Sequence, residues 1–166
     1  KQLYLLLTIA IWLSLMTGIG LVLYPRLKSF ALSMVMGLLG VVLVFFFIEH
    51  FVGLGDVGIL MPIGLVLSLG FMYLRRHDWH EIQEEVIVFA ACFAWALMWR
   101  MIFPNLDGGT EKLMNLNLLA SYRAGVTLPP PDLWLSGHAL DMYYGLQHYA
   151  AALMGRVMHF TVGVNY

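Results

Sequence analysis

Charge is what this sequence has least of. Only 11% of its 166 residues are charged, against about 25% in an ordinary soluble domain. Hydrophobic residues make up 61%, where roughly 45–50% is usual, and they come in long uncharged runs rather than amphipathic stripes. A water-soluble fold of this size cannot hide so much apolar surface, so the bilayer is the expected solvent. Neither sign of charge dominates: nine Lys plus Arg against ten Asp plus Glu give a net charge of −1. The chain therefore has no basic field for nucleic acid, and nucleic-acid binding is excluded as a function class. A single cysteine, Cys92, rules out an intrachain disulfide, a CxxC redox pair and a multi-cysteine metal site. It reads as a small buried hydrophobe. No repeat or low-complexity segment is visible. The chain starts at Lys1, and its first apolar run is too long for a signal-peptide core, so a processed chain or a fragment is expected.

A spanning helix needs about 20 mostly apolar residues. Residues 2–24 form one such run, with Pro25 as its expected stop. Residues 29–48 form a second, ended by Glu49 and His50, and residues 57–74 a third, ended by Arg75 and Arg76. A fourth covers residues 82–103, with 14 uncharged residues between Glu85 and Arg100, and stops before Pro104. The expected fold is thus an all-α integral membrane protein of about four transmembrane helices, followed by a loop with short interfacial helices. Arg26 and Lys28 in the first turn and Arg75 and Arg76 in the third place those turns on the cytoplasmic side. The N-terminus, the second turn and everything after Phe103 then lie outside, in the cell membrane's extracytoplasmic layer.

The first three spans offer little chemistry. Gly18, Gly20, Gly37, Gly40, Gly64 and Gly70 read as points of close helix approach. Glu49 and His50 read as helix-end residues snorkelling to the interface, with a proton relay as the sharper alternative. Glu85, Phe89 and Phe93 share one helix face at i, i+4 and i+8, with Arg100 near the far end, either as a packing stripe or as a functional face.

Composition changes after Phe103, which divides the chain at residues 1–80 and 81–166. PNLDGG reads as a turn, and Thr110 could cap a short helix to about Ala124. In that helix Leu113, Leu116, Leu119 and Ala120 form an apolar stripe suited to the membrane surface. Pro129, Pro130 and Pro131 impose an extended stretch, and a second short helix is expected over residues 133–153. Asp107, Glu111, Lys112, Arg123, Asp132 and Asp141 could converge on one outer surface.

The same residues resemble the Chlor-Arch-YYY domain, a membrane domain of unknown function. The resemblance rests on Glu85, Phe89, Phe93, Arg100 and Pro104, then Glu111-Lys112 with Met114, then Pro130, Pro131, Asp132, Trp134 and Gly137, then Asp141, Tyr143, Tyr144 and Gly145. It covers about residues 81–166. Asp141 stands where that family usually has Asn, Met142 where it has a first tyrosine, and Asn115 near an expected Asp. Members continue through many more spans.

That family looks like the GT-C membrane glycosyltransferases, which use polyprenyl-phosphate-linked sugars at the outer face. The resemblance implies Glu111, with Asp107 nearby, as catalytic base. The leaving lipid phosphate would be stabilised by Arg100, Lys112 and Arg123. Asp132 and His138 could help hold a divalent metal or make hydrogen bonds instead. Trp134, Tyr143 and Tyr144 could stack on a sugar ring or anchor the loop among lipid headgroups. Asp141 completes the candidate substrate-binding set. The expected partners are membrane lipids and a lipid-phosphate-linked sugar. The alternative function is a non-catalytic subunit held by other membrane subunits of a larger complex.

Overall fold

The structure is a computed structural model that describes residues 2–102, 110–124, 127–140 and 145–160, with only the backbone of residues 2–6 and 110–112. Among the described residues six α-helices follow in chain order: α1 (Gln2–Leu27), α2 (Phe30–Phe51), α3 (Leu60–Leu74), α4 (Trp79–Ile102), α5 (Thr110–Arg123) and α6 (Gly145–Val157). No β-strand occurs among the described residues, so the fold is all-α as expected. Three apolar segments are long enough to cross a membrane: Leu7–Leu27, Phe30–Phe51 and Arg76–Ile102. The third expected crossing, residues 57–74, corresponds to α3, whose 15 residues are about 22 Å long at 1.5 Å per residue, shorter than the three candidate spans.

Local chemistry moves several expected boundaries. Pro25 lies inside the last turn of α1, where few downstream carbonyl bonds remain to be lost. The helix stops instead at Lys28, whose φ of 55° turns the chain. Ser29 then caps α2 by accepting the Leu32 amide at 3.4 Å. The helix expected over residues 133–153 begins only at Gly145. Upstream of it, Asp132 Oδ1 accepts the amides of Trp134 and Leu135, closing a turn in place of a helix.

The chain forms two compact units. The first holds residues 1–40 and 62–105, and the second residues 41–61 and 106–166. α2 contributes one half to each.

In the first unit Met16, Leu21, Tyr24, Phe30, Met34 and Ile82 make the core. Small residues let its helices meet: a Cβ on Gly18 would collide with Ser68 of α3, and one on Gly37 with Ile19 of α1. Gly20 and Gly64 also face close neighbours, whereas Gly40 and Gly70 face open space. The Glu85–Phe89–Phe93 face is a packing stripe. Trp12 stacks on Phe93 at 5.1 Å and on Phe89 at 6.4 Å, while Glu85 accepts the Ala31 amide at 2.8 Å and the Ser29 hydroxyl at 3.1 Å. A carboxylate is thus set at the positive end of α2. Tyr24 donates to Glu81 at 2.8 Å. Cys92 is exposed on α4 rather than buried.

In the second unit α5 packs on α6. Leu118, Leu119 and Tyr122 are buried there with Tyr149, Ala152 and Leu153, so the part of the α5 stripe around Leu119 faces protein, and Leu113 alone of its leucines is fully exposed. The turn between α2 and α3 belongs to this unit together with the segment after α4.

Replacing Gly18 by Leu should cost about 1–3 kcal/mol through overpacking against Ser68. Gly40→Leu, which meets open space, should change stability by less than about 0.5 kcal/mol. Thermal unfolding in detergent checks this; equal midpoints would show that α1 and α3 do not depend on their close approach.

Candidate functional site

The second unit is organised around a carboxylate that an apolar run would not ordinarily tolerate. Glu49, in the last turn of α2, is completely buried. Arg156 of α6 donates to its Oε1 at 2.6 Å, and the Tyr149 hydroxyl donates to its Oε2 at 2.8 Å. Removing two ions from water costs several kcal/mol each, and only a short, fully hydrogen-bonded pair offsets that. Arg156 makes further bonds accordingly: its other terminal nitrogen donates to the Leu54 and Gly55 carbonyls just past α2. Phe46 and Tyr122 meet the Tyr149 ring edge-on, at 5.1 and 6.0 Å. Burial, reinforced by the Glu49 hydrogen bond, pushes the Tyr149 hydroxyl well above its ordinary range, and burial raises Tyr122 as well.

Beside this pair opens a cleft of about 400 Å³. Arg123, Arg156, His159 and Asp56 supply its ionisable walls. Asp56 is committed to its own loop, where Oδ1 accepts the Gly58 amide at 2.8 Å. His159 ends α6 in the left-handed region, with φ of 54°. Its ring lies against Gly58, where a Cβ would have no room. Arg123, at the C-terminal end of α5, has one terminal nitrogen buried without a hydrogen-bond partner. Burial and then the Arg156 charge pull its guanidinium below the usual arginine range. Arginine nevertheless stays charged in proteins, so an anion entering here would find an unused donor on a cation that is short of solvent. Guanidinium groups match phosphate oxygens in geometry and charge.

Of the residues expected from sequence, Arg123 lines this cleft. Asp132, Trp134 and His138 come together on the closed turn between Pro131 and Ala139, which does not line it. Arg100 stands in the last turn of α4, in the first unit. Glu111 and Lys112 lie in the first turn of α5, with their side chains outside the described residues, as are Asp107, Asp141, Tyr143 and Tyr144. No group of three or more His, Cys, Asp or Glu side chains comes together as a metal site among the described residues.

Sequence reasoning missed Glu49, Tyr149, Arg156 and His159 as a set. Glu49 is a buried ion-pair partner, not a snorkelling residue. The available signal was slight: an acid ending one apolar helix and a lone arginine in a later, shorter helix.

All-α helices of spanning length and a polar unit at the end of one of them define a multi-spanning membrane protein. The chain belongs to the DUF2298 family of uncharacterized membrane proteins, which it matches over residues 6–166. No curated protein and no solved structure matches it.

Glu49→Ala should cost about 3–5 kcal/mol by leaving Arg156 buried and unpaired, while a double replacement by methionine should recover most of that loss. Urea or thermal unfolding of the three proteins checks this; a double variant as unstable as the single one would show that the pair itself is not the source. Because the pKa of Tyr149 is raised on folding, its stabilising contribution is complete below the free tyrosine value and fades as the pH rises above about 10. Ultraviolet titration should show Tyr149→Phe removing a phenol that ionises later than the exposed ones.

Proposed function

We propose that this protein is a GT-C-like membrane glycosyltransferase, or the part of one that meets a polyprenyl-phosphate-linked sugar at the extracytoplasmic face. The observation that carries this reading is the cleft, in which Arg123 offers an unpartnered donor beside the fixed charge of Arg156. A lipid-linked sugar presents a phosphate to such a pair. The resemblance to the Chlor-Arch-YYY domain, and through it to the GT-C glycosyltransferases, supports the sugar chemistry.

In this reading the Glu111 carboxylate takes the proton of an acceptor hydroxyl as that oxygen bonds to the anomeric carbon. The bond from that carbon to the lipid-phosphate oxygen breaks, and its electron pair leaves with the phosphate, whose charge Arg123 meets with Arg156 behind it. Asp107 lies close in sequence as a second carboxylate. Asp132 and His138 remain the candidate ligands for a divalent metal, on a turn that does not line the cleft. Arg100, Lys112, Asp141, Tyr143 and Tyr144 remain candidate substrate contacts. Failure of the catalytic reading would favour a non-catalytic subunit of a larger membrane complex.

The test is transfer from a polyprenyl-phosphate sugar in membranes carrying the whole chain. Glu111→Gln should lower the rate by about 10²–10⁴-fold, the usual worth of a general base, and Arg123→Gln should raise the apparent KM for donor. Unchanged transfer in Glu111→Gln would refute the catalytic assignment. Orientation has its own check: in a Cys92→Ala background, Gln147→Cys, at an exposed polar position of α6, should react with a membrane-impermeant maleimide on intact cells. Labelling only after lysis would put the loop on the cytoplasmic side.

A further inference from the structure

The turn between Pro130 and Leu140 has an unusual division of labour between its backbone and its side chains. Its backbone is satisfied internally: Leu140 N donates to Pro130 O at 2.8 Å, Asp132 N to His138 O at 2.9 Å, and His138 N to Leu135 O at 3.2 Å. Asp132 Oδ1 holds the Trp134 and Leu135 amides at 2.7 and 3.2 Å. The turn is therefore a closed, stiff element. At its tip three consecutive large apolar side chains project outward, with Leu133 54%, Trp134 62% and Leu135 56% exposed. Its root is buried, at Leu128, Pro130 and Leu140.

The root also fixes where the turn stands. Leu128 N donates to the Glu49 carbonyl at 3.2 Å, so the segment starts against the last turn of the spanning helix α2. Phe51 and Val52, just beyond Glu49, are 82% and 75% exposed, as befits a helix end emerging through lipid. The end of a spanning helix marks the boundary between hydrocarbon and headgroups, the layer that tryptophan prefers. A sugar platform would need hydrogen-bonding side chains around the ring. Trp134 is flanked instead by two leucines, Asp132 Oδ1 is spent on the backbone, and Trp134 does not line the cleft.

We propose that this turn is a bilayer anchor, with Leu133, Trp134 and Leu135 seated among the lipid headgroups and upper acyl chains beside the end of α2. The anchor would hold the second unit at a fixed depth, whatever reaction that unit performs, so it stands independently of the transferase reading.

The whole chain in phosphatidylcholine nanodiscs tests it, with and without lipid brominated near the top of the acyl chains. Subtracting the emission of Trp134→Phe from that of the unsubstituted protein isolates Trp134, and the substitution removes only an exposed ring. The expected Trp134 component is blue-shifted relative to a free tryptophan amide, loses most of its intensity in brominated lipid and resists aqueous iodide. A red-shifted, iodide-quenched component would overturn the proposal, and so would a blue-shifted component insensitive to both quenchers, which would mean that protein covers the turn. None of these readouts depends on sugar transfer.

Discussion

The second unit depends on one buried ion pair. Glu49 and Arg156 are separated by 107 residues, and either one buried without the other would leave an uncompensated charge. Once α6 docks so that Arg156 reaches Glu49, the remaining guanidinium donors capture the Leu54 and Gly55 carbonyls. The loop leaving α2 is thereby held against α6, and Tyr149 is aligned to donate to the second carboxylate oxygen. The cleft is what remains beside this arrangement. Its wall contains Arg156 because the pair put it there, and its opposite charge, Asp56, is tied to the backbone of the same loop. An attraction that contributes little net stability thus sets the register of three segments.

The first unit solves a different problem. Between helices in lipid there is little hydrophobic driving force, so close packing and interhelical hydrogen bonds must do the joining. Gly18 against Ser68 and Gly37 against Ile19 provide the first. Glu85 on the start of α2 and Glu81 on Tyr24 provide the second. α2 is consequently held through a carboxylate at each end, by Glu85 at its free amides and by its own Glu49 at its last turn. Of the two, the Glu49 interaction is buried, whereas the Glu85 hydrogen bond to Ala31 is exposed.

What was legible in the sequence follows from which forces are local. Spanning helices are read from runs of apolar residues, so α1, α2 and α4 emerged close to their true limits, and α5 was placed by Thr110 and its periodicity. The helix expected over residues 133–153 is present from Gly145 but not at its expected start, where a side chain, Asp132, takes the amides that a helix would need. The functional face was harder still. Arg123 was identified from composition alone, but its neighbours Arg156 and His159 reach it only through the packing of α6 on α5. Glu49 resembled many helix-end acids, and nothing within its own twenty residues distinguishes a snorkelling carboxylate from a buried one.

The position of the cleft also bears on how a ligand would arrive. Its walls come from the loop immediately after α2 and from the ends of α5 and α6, so it opens close to where a spanning helix leaves the hydrocarbon. Under the proposed function, a phosphate attached to a polyprenyl chain would be confined to the same layer and would reach Arg123 by moving sideways, without leaving the membrane. A free phosphate has no such confinement and would meet Asp56 along with the two arginines. With Glu49 cancelling Arg156 and Asp56 opposing Arg123, the long-range field of these four groups is close to neutral. Attraction is then short-ranged, through the unpartnered Arg123 donor. Such a site discriminates by local contact and by membrane confinement more than by drawing anions from solution, which is the behaviour the proposed lipid-linked donor requires.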